Sequence, residues 1–286
     1  MDWTERRERF RGLLAGDRCV HTGSVYDAIS ARIAEDLGFE VGIFSGSVGS
    51  MAVLGAPDLV VLTLTEFAAQ ANRVCRAGNL CLLVDADHGY GNAMNVMRTV
   101  EECEHSGVSA MSIEDTVLPR AFGSSGETFT SVEEGVGKMK AALAARSDPS
   151  FVIYGRTSAI RAEGIEGVLK RAKAYEDVGV DGLFFVGLRT KAELEALRAQ
   201  SSLPFIMGST GPEIADRAYL ASQGARVGGW DHAPLQAAAR AAYDSLRGHR
   251  ESTAPGKVPP ALEASEFIGK LTAQSEYEAA TKEFLS

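Results

Sequence analysis

Positive charge is scarce in this chain, and so are cysteine and long apolar runs. Lysine and arginine total 29 against 38 acidic residues, a formal net charge of −9. That balance excludes nucleic acid and anionic membrane as main partners, because both select for basic patches. The four cysteines, Cys19, Cys75, Cys81 and Cys103, form no CxxC pair, which removes thiol redox motifs and Cys-rich zinc sites. They read as small buried hydrophobes in a reducing cytosol. No apolar run approaches the roughly 20 residues that span a bilayer. The charged start, residues 1–9, lacks an apolar signal core. No GxGxxG joins a strand to a helix, and no GxSxG elbow surrounds a serine. The expectation is a cytoplasmic protein with no membrane and no nucleic-acid partner.

What the chain does have is regular alternation. Apolar residues make up 45% and charged residues 23%, enough for one large core. Short apolar runs at 18–21, 40–44, 80–84, 110–113, 151–154, 182–186, 205–207 and 225–227 read as strands. Amphipathic segments at 25–37, 65–77, 95–106, 132–145, 165–178, 191–200, 213–223 and 234–246 read as helices. Gly38, Gly107, Gly179 and Gly224 stand at helix–strand joints, where left-handed C-caps are expected. Strict βα alternation implies a parallel sheet, and eight units over about 250 residues fit a (β/α)8 TIM-type barrel better than an open Rossmann-type sheet. The whole chain, 1–286, reads as a single barrel domain, with residues 250–286 a C-terminal helical extension docked on this subunit or a neighbour. Two long loops, 45–61 and 116–130, follow strands and are expected on the active face.

Two of the strands stop on acids. The run at 80–84 ends in Asp85-Ala86-Asp87, and the run at 110–113 ends in Glu114-Asp115. A buried, unpaired carboxylate costs several kcal/mol, about as much as is lost with a misplaced charge anywhere in a core. A divalent cation offsets that cost, and oxygen ligands suit Mg²⁺. Asp85, Asp87 and Glu114 are therefore metal candidates; capping helices or pairing with Arg156 is the alternative. Asp115 fits a supporting role through hydrogen bonds. Arg156 offers a planar fork for a substrate carboxylate, or else a structural ion pair. Ser45, Gly46 and Ser47 let backbone N–H groups and hydroxyls approach an anion, or form a plain flexible loop. His232, after the last strand and just before a helix, can act as acid, donor or anion partner, or simply open that helix. His88 fits a structural role.

Asp85-Ala86-Asp87-His88-Gly89-Tyr90-Gly91 and Ile113-Glu114-Asp115 resemble the metal-binding signatures of the isocitrate lyase / phosphoenolpyruvate mutase superfamily. Ser45-Gly46-Ser47 and Gly155-Arg156-Thr157 resemble its substrate-anion motifs. Residues 87–100, 113–119, 133–140 and 231–234 are most similar to its oxaloacetate decarboxylase branch. The resemblance implies a barrel, often with the eighth helix swapped between subunits, in a homotetrameric dimer of dimers. It implies Mg²⁺, with Mn²⁺ as substitute, and an α-keto dicarboxylate substrate. The implied reaction takes oxaloacetate to pyruvate and CO2 through a metal-stabilised enolate, with Ser47, Asp85, Arg156 and His232 contacting substrate or metal. The loop after Glu114 lacks the Lys-Lys-Cys-Gly-His motif of the C–C lyases. A lyase for a substituted malate, or a phosphonopyruvate-type enzyme, is the second reading. A barrel that only binds a dicarboxylate is the third. Thr210 and the segment 228–231 depart from the branch pattern and bear on substrate choice.

Overall fold

Side chains alternate in direction along a strand, so one set of positions from each strand faces inward. In the computed structural model of this protein, that inward set closes into a barrel interior. Residues 2–120, 122–123, 126–229, 232–251 and 262–285 are described. The chain divides into two compact units, Met1–Asp231 and His232–Ser286.

The first unit begins with helix α1 (Thr4–Ala15). Its strands are β1 (Val20–His21), β2 (Gly23–Ser24), β3 (Val41–Ser45), β4 (Cys81–Asp85), β5 (Ala110–Glu114), β6 (Val152–Thr157), β7 (Gly182–Val186), β8 (Phe205–Gly208) and β9 (Ala225–Gly228). β1 and β2 are two halves of one strand interrupted at Thr22. β1 pairs with β9 and β2 with β3, both in parallel, so the ring closes on itself. Counting the halves as one gives the eight-stranded parallel barrel expected from the alternation.

Between the strands run α2 (Ala28–Asp36), α3 (Gly46–Gly49), α4 (Leu64–Arg76), α5 (Ala93–His105), α6 (Val132–Ala145), α7 (Ile160–Val178), α8 (Lys191–Gln200) and α9 (Arg217–Ser222). Local chemistry sets their starts. Thr63 with Glu66, and Thr190 with Glu193, form reciprocal capping boxes on α4 and α8. The four joint glycines all have positive φ, from 79° at Gly38 to 97° at Gly179, as the C-cap reading requires.

Several expected boundaries move. Asp85, Glu114 and Arg156 lie within their strands, not beyond them, because the parallel ladder keeps pairing after the apolar run ends: Ser45 with Asp85, and Glu114 with Arg156. The helix expected over 213–223 starts only at Arg217, where Asp216 accepts a hydrogen bond from the Tyr219 N–H; a tight turn at Pro212–Ile214 precedes it. α7 reaches back to Ile160 across a break at Gly164, whose φ of 66° and ψ of −172° are not helical. The loop at 45–61 opens with α3 and a wide helical turn over Ser50–Leu54.

α1 was not legible in the alternation, and it closes the barrel floor. Phe10 is fully buried among Val20, Val41, Cys81, Ala110, Val152 and Tyr154. Arg6 donates to the Cys75 carbonyl at 2.8 Å, Arg7 to the Val108 carbonyl at 3.0 Å and Arg11 to the Ser150 carbonyl at 2.9 Å. The four cysteines are free and buried, as expected.

The second unit contains α10 (Ala233–Glu251), α11 (Leu262–Leu271) and α12 (Gln274–Phe284). Among the described residues, no helix is long and apolar enough to cross a membrane.

Candidate active site

The inward set that packs the core continues upward into the barrel mouth. Val41 and Ile43 lead to Ser45; Cys81 and Leu83 lead to Asp85; Ala110 leads to Ser112 and Glu114; Val152 and Tyr154 lead to Arg156. Each step is two residues, the strand period. Polar groups thus replace apolar ones in the last layer of the same interior, at the end where (β/α)8 enzymes carry their chemistry.

Arg156 is the centre of the site. Its Nη1 donates to Asp85 Oδ2, and its Nη2 stands 3.0 Å from Glu114 Oε2. Its guanidinium lies over the Phe184 ring, 5.0 Å from the centroid. Its Nε–H has no hydrogen-bond partner among the described residues. Burial disfavours its charge, but Asp85, Glu114 and Asp87 more than offset this and hold the guanidinium firmly protonated. Asp85 Oδ1 also accepts from the Ser112 hydroxyl at 3.1 Å.

Asp87 sits just past β4 in a left-handed conformation, with φ of 48°. Its carboxylate lies against Gly46, where a Cβ would come within 2.1 Å of Oδ2. Any side chain there would have to displace the carboxylate. Burial raises the Asp87 carboxyl well above the usual range, and the charges of Asp85 and Glu114 raise it further. Burial also raises Glu114, although Arg156 opposes the shift. The acids are short of positive charge, which is the condition a bound cation relieves. An all-oxygen donor set fits Mg²⁺ or Mn²⁺ better than a softer metal. Among the described residues no group of three His, Cys, Asp or Glu side chains is spaced to grip a bare ion; Mg²⁺, which keeps several waters and uses one or two carboxylates, does not need such a cage.

Asp115, next to Glu114, is fully buried. Oδ2 accepts from the Tyr175 hydroxyl at 2.7 Å and from Arg171 Nη1 at 3.1 Å. Ser45 caps α3, accepting from the Val48 N–H, and its hydroxyl is 2.9 Å from that of Ser47. His88 is buried; burial and the nearby Lys138 charge push its imidazole down to about 4, so it stays neutral at physiological pH. That suits a structural part. His232 precedes α10 in the second unit, where its carbonyl accepts from the Gln236 N–H. Trp230 and Asp231, in the unusual segment before it, lie outside the described residues. Thr210 is half-buried just after β8.

Three participants escaped the sequence reading. Asp58, on an exposed stretch of chain, adds the weakest of the charges that push the Asp87 carboxyl up. It lies deep in the loop after β3, too far from the strand end for a strand-end rule to collect it. Ser112 faces inward on β5, but a serine inside a strand carries no signal of its own. Lys138 is buried on α6; the signal available was a lysine on an otherwise apolar helix face.

Comparison with known proteins agrees with this geometry. The family model for phosphoenolpyruvate phosphomutase matches residues 10–249. A Bradyrhizobium diazoefficiens protein named oxaloacetate decarboxylase is 50% identical over 279 residues, covering 98% of this chain and 96% of its own. One of the same name from Rhodopseudomonas palustris is 50% identical over 272 residues, covering 95% and 94%. The solved phosphoenolpyruvate phosphomutase of Streptomyces platensis subsp. rosaceus superposes with a TM-score of 0.87 at 25% identity, over 98% of this chain and 99% of that one. Oxaloacetate acetylhydrolase, in complex with the inhibitor 3,3-difluorooxalacetate, gives a TM-score of 0.82 at 28% identity, over 97% of each chain. With its barrel, its strand-end acids and a family match over most of its length, this chain belongs to the phosphoenolpyruvate phosphomutase family, within the superfamily its motifs resemble.

Proposed function

We propose that this protein is an oxaloacetate decarboxylase, converting oxaloacetate to pyruvate and CO2. The observation that carries the reading is the meeting of Asp85, Glu114 and Arg156 at adjacent strand ends, with Asp87 crowded beside them. Relatives of that name, 50% identical over nearly the full chain, support it.

Asp85, Asp87 and Glu114 are the residues to hold Mg²⁺, with Mn²⁺ as substitute. When bound, the ion supplies Lewis-acid polarisation of the substrate's C2 oxygen. The chain's own groups do the rest. Arg156, whose Nε–H has no partner among the described residues, and the Ser45-Gly46-Ser47 turn hold the C1 carboxylate. The motif resemblance assigns the C4 carboxylate to His232, a role that a His232→Ala variant tests by its rate of pyruvate formation. Alignment of the C3–C4 bond with the carbonyl π system lets that bond break as CO2 leaves. The electron pair passes into the C2 carbonyl, giving the pyruvate enolate, and water returns a proton to C3. No general base is needed. All four cysteines are buried, and burial pushes the Cys75 thiol up to about 12 and that of Cys19 up to about 11, which disfavours thiol chemistry of the C–C lyase kind. We read the barrel as the catalytic domain and residues 250–286 as an extension, in a cytoplasmic homo-oligomer assembled as a dimer of dimers.

The test is pyruvate formation from oxaloacetate, beside 2-methylmalates and phosphonopyruvate, with Mg²⁺ and a protein-free Mg²⁺ control. A rate no higher than that control rejects oxaloacetate. Turnover of another substrate alone transfers the assignment to that reaction. Full activity in excess EDTA rejects the metal.

A further inference from the structure

The turn that carries Asp87 is clamped from four directions. The Ala86 carbonyl accepts from Gly89 N–H at 2.9 Å, and the Asp87 carbonyl from Glu114 N–H at 2.8 Å. The His88 carbonyl accepts from Lys138 Nζ at 3.0 Å, and the Gly89 carbonyl from the Thr99 hydroxyl at 3.1 Å. Three donors are neutral; the fourth is an ammonium.

That ammonium is unexpected. Lys138 is 3% exposed, on the face of α6 that also buries Met139 and Ala142. Among the described residues it forms no ion pair, and its one hydrogen bond is to His88. A buried ammonium held by a single carbonyl is expensive, and a methionine would fill the place without that cost. The acids whose charges act on it are Glu134, Glu114 and Asp115. Asp87, meanwhile, holds a left-handed conformation that side-chain-bearing residues adopt reluctantly. Its carboxylate is packed against a glycine that leaves no slack.

We propose that Lys138 is a positioning residue for the Asp87 carboxylate: by gripping the His88 carbonyl it locks the 86–89 turn left-handed and aims the acid into the site. This rests on the reading of Asp87 as part of a divalent-cation site. The charge of Lys138 alone works against cation binding, so the grip and the charge pull in opposite directions. The grip dominates, because an outward-turned Asp87 contributes nothing to the site.

The experiment uses the full-length, metal-stripped protein. Mn²⁺ binding is followed by the electron paramagnetic resonance of the free ion, and thermal melting is recorded in EDTA. Lys138→Met is expected to raise the Mn²⁺ Kd by about 10-fold or more, the scale of lost support behind a metal ligand. The Mn²⁺ concentration for half-maximal activity should rise in step, with kcat at saturating Mn²⁺ changing less. Val100→Ala, a core change on α5, supplies a destabilised comparison whose Kd stays within about twofold. Should Lys138→Met fail to fold, Lys138→Gln, which is too short to reach the carbonyl, is read the same way. A lowered melting temperature with an unchanged Kd overturns the proposal and leaves Lys138 a packing residue. A tighter Kd also overturns it, since charge and not grip would then dominate. If the wild type itself takes up no Mn²⁺, the cation reading fails and the proposal falls with it.

Discussion

The two ends of the barrel handle buried charge in opposite ways. At the floor, arginines from α1 are matched to backbone carbonyls at strand and helix ends, and to Asp148 and Asp181. Below the mouth, the same eight strands deliver acids faster than cations. Arg156 is shared between Asp85 and Glu114, and Asp87 is left with its carboxyl shifted upward. One end is built for stability and gains from every pair. The other holds a charge imbalance that costs stability, the pattern expected where a site is shaped for function and not for folding. Mutations should therefore separate cleanly: floor changes alter folding, mouth changes alter turnover.

The largest separation is expected at Asp85. Asp85→Asn should lower pyruvate formation by about 10³-fold, the upper scale for removing one transition-state stabilising group. Its melting temperature should fall far less than that of a floor variant, because Glu114 still pairs with Arg156 when the Asp85 charge is gone. A large loss of both rate and stability would erase the contrast. At the floor, Phe10→Ala should cost about 3–5 kcal/mol in urea unfolding, as for other buried phenylalanines, with kcat/KM within about twofold of wild type. A matching loss of activity would mean that the floor sets the mouth's geometry.

Arg156→Lys comes next, with kcat/KM for oxaloacetate down about 100-fold, because a single ammonium cannot serve Asp85, Glu114 and a substrate carboxylate together. Unchanged kinetics would make Arg156 a mouth version of the floor's structural arginines. The smallest effect is a slope. His88 titrates at about 4 in the folded protein against an ordinary 6.5, so the unfolded chain takes up the proton first as pH falls. Its contribution is complete above about pH 6.5 and is lost progressively toward pH 4. His88→Asn should flatten the dependence of the urea midpoint across that window. An unaltered slope would show that other groups set acid stability at the mouth.

Much of this architecture was legible residue by residue. Strand runs and helix faces announce themselves because the 2.0 and 3.6 periods are local, and the joint glycines mark where a left-handed cap must fall. Asp85, Asp87 and Glu114 stood out because acids ending apolar runs are costly anywhere. Boundaries were less legible. Arg156 and Glu114 remain in the ladder since pairing is a property of the neighbouring backbone, not of their own polarity. α1 went unread because its buried face carries two arginines, Arg6 and Arg7, beside Phe10, and no apolar periodicity betrays a helix that binds through carbonyls.

By itself, the sequence determined the alternation of elements, the inward face of each strand, and which chemical groups each strand end would present. These follow from short-range periodicity and from the cost of burying charge. Only the tertiary structure decided that Arg156 would bridge Asp85 and Glu114 over Phe184, that Asp87 would lie against Gly46, and that Lys138 would hold the turn between them. Those contacts join residues from different strands and helices. Their distances are set by the register with which eight parallel strands close, and no single stretch of chain encodes that register.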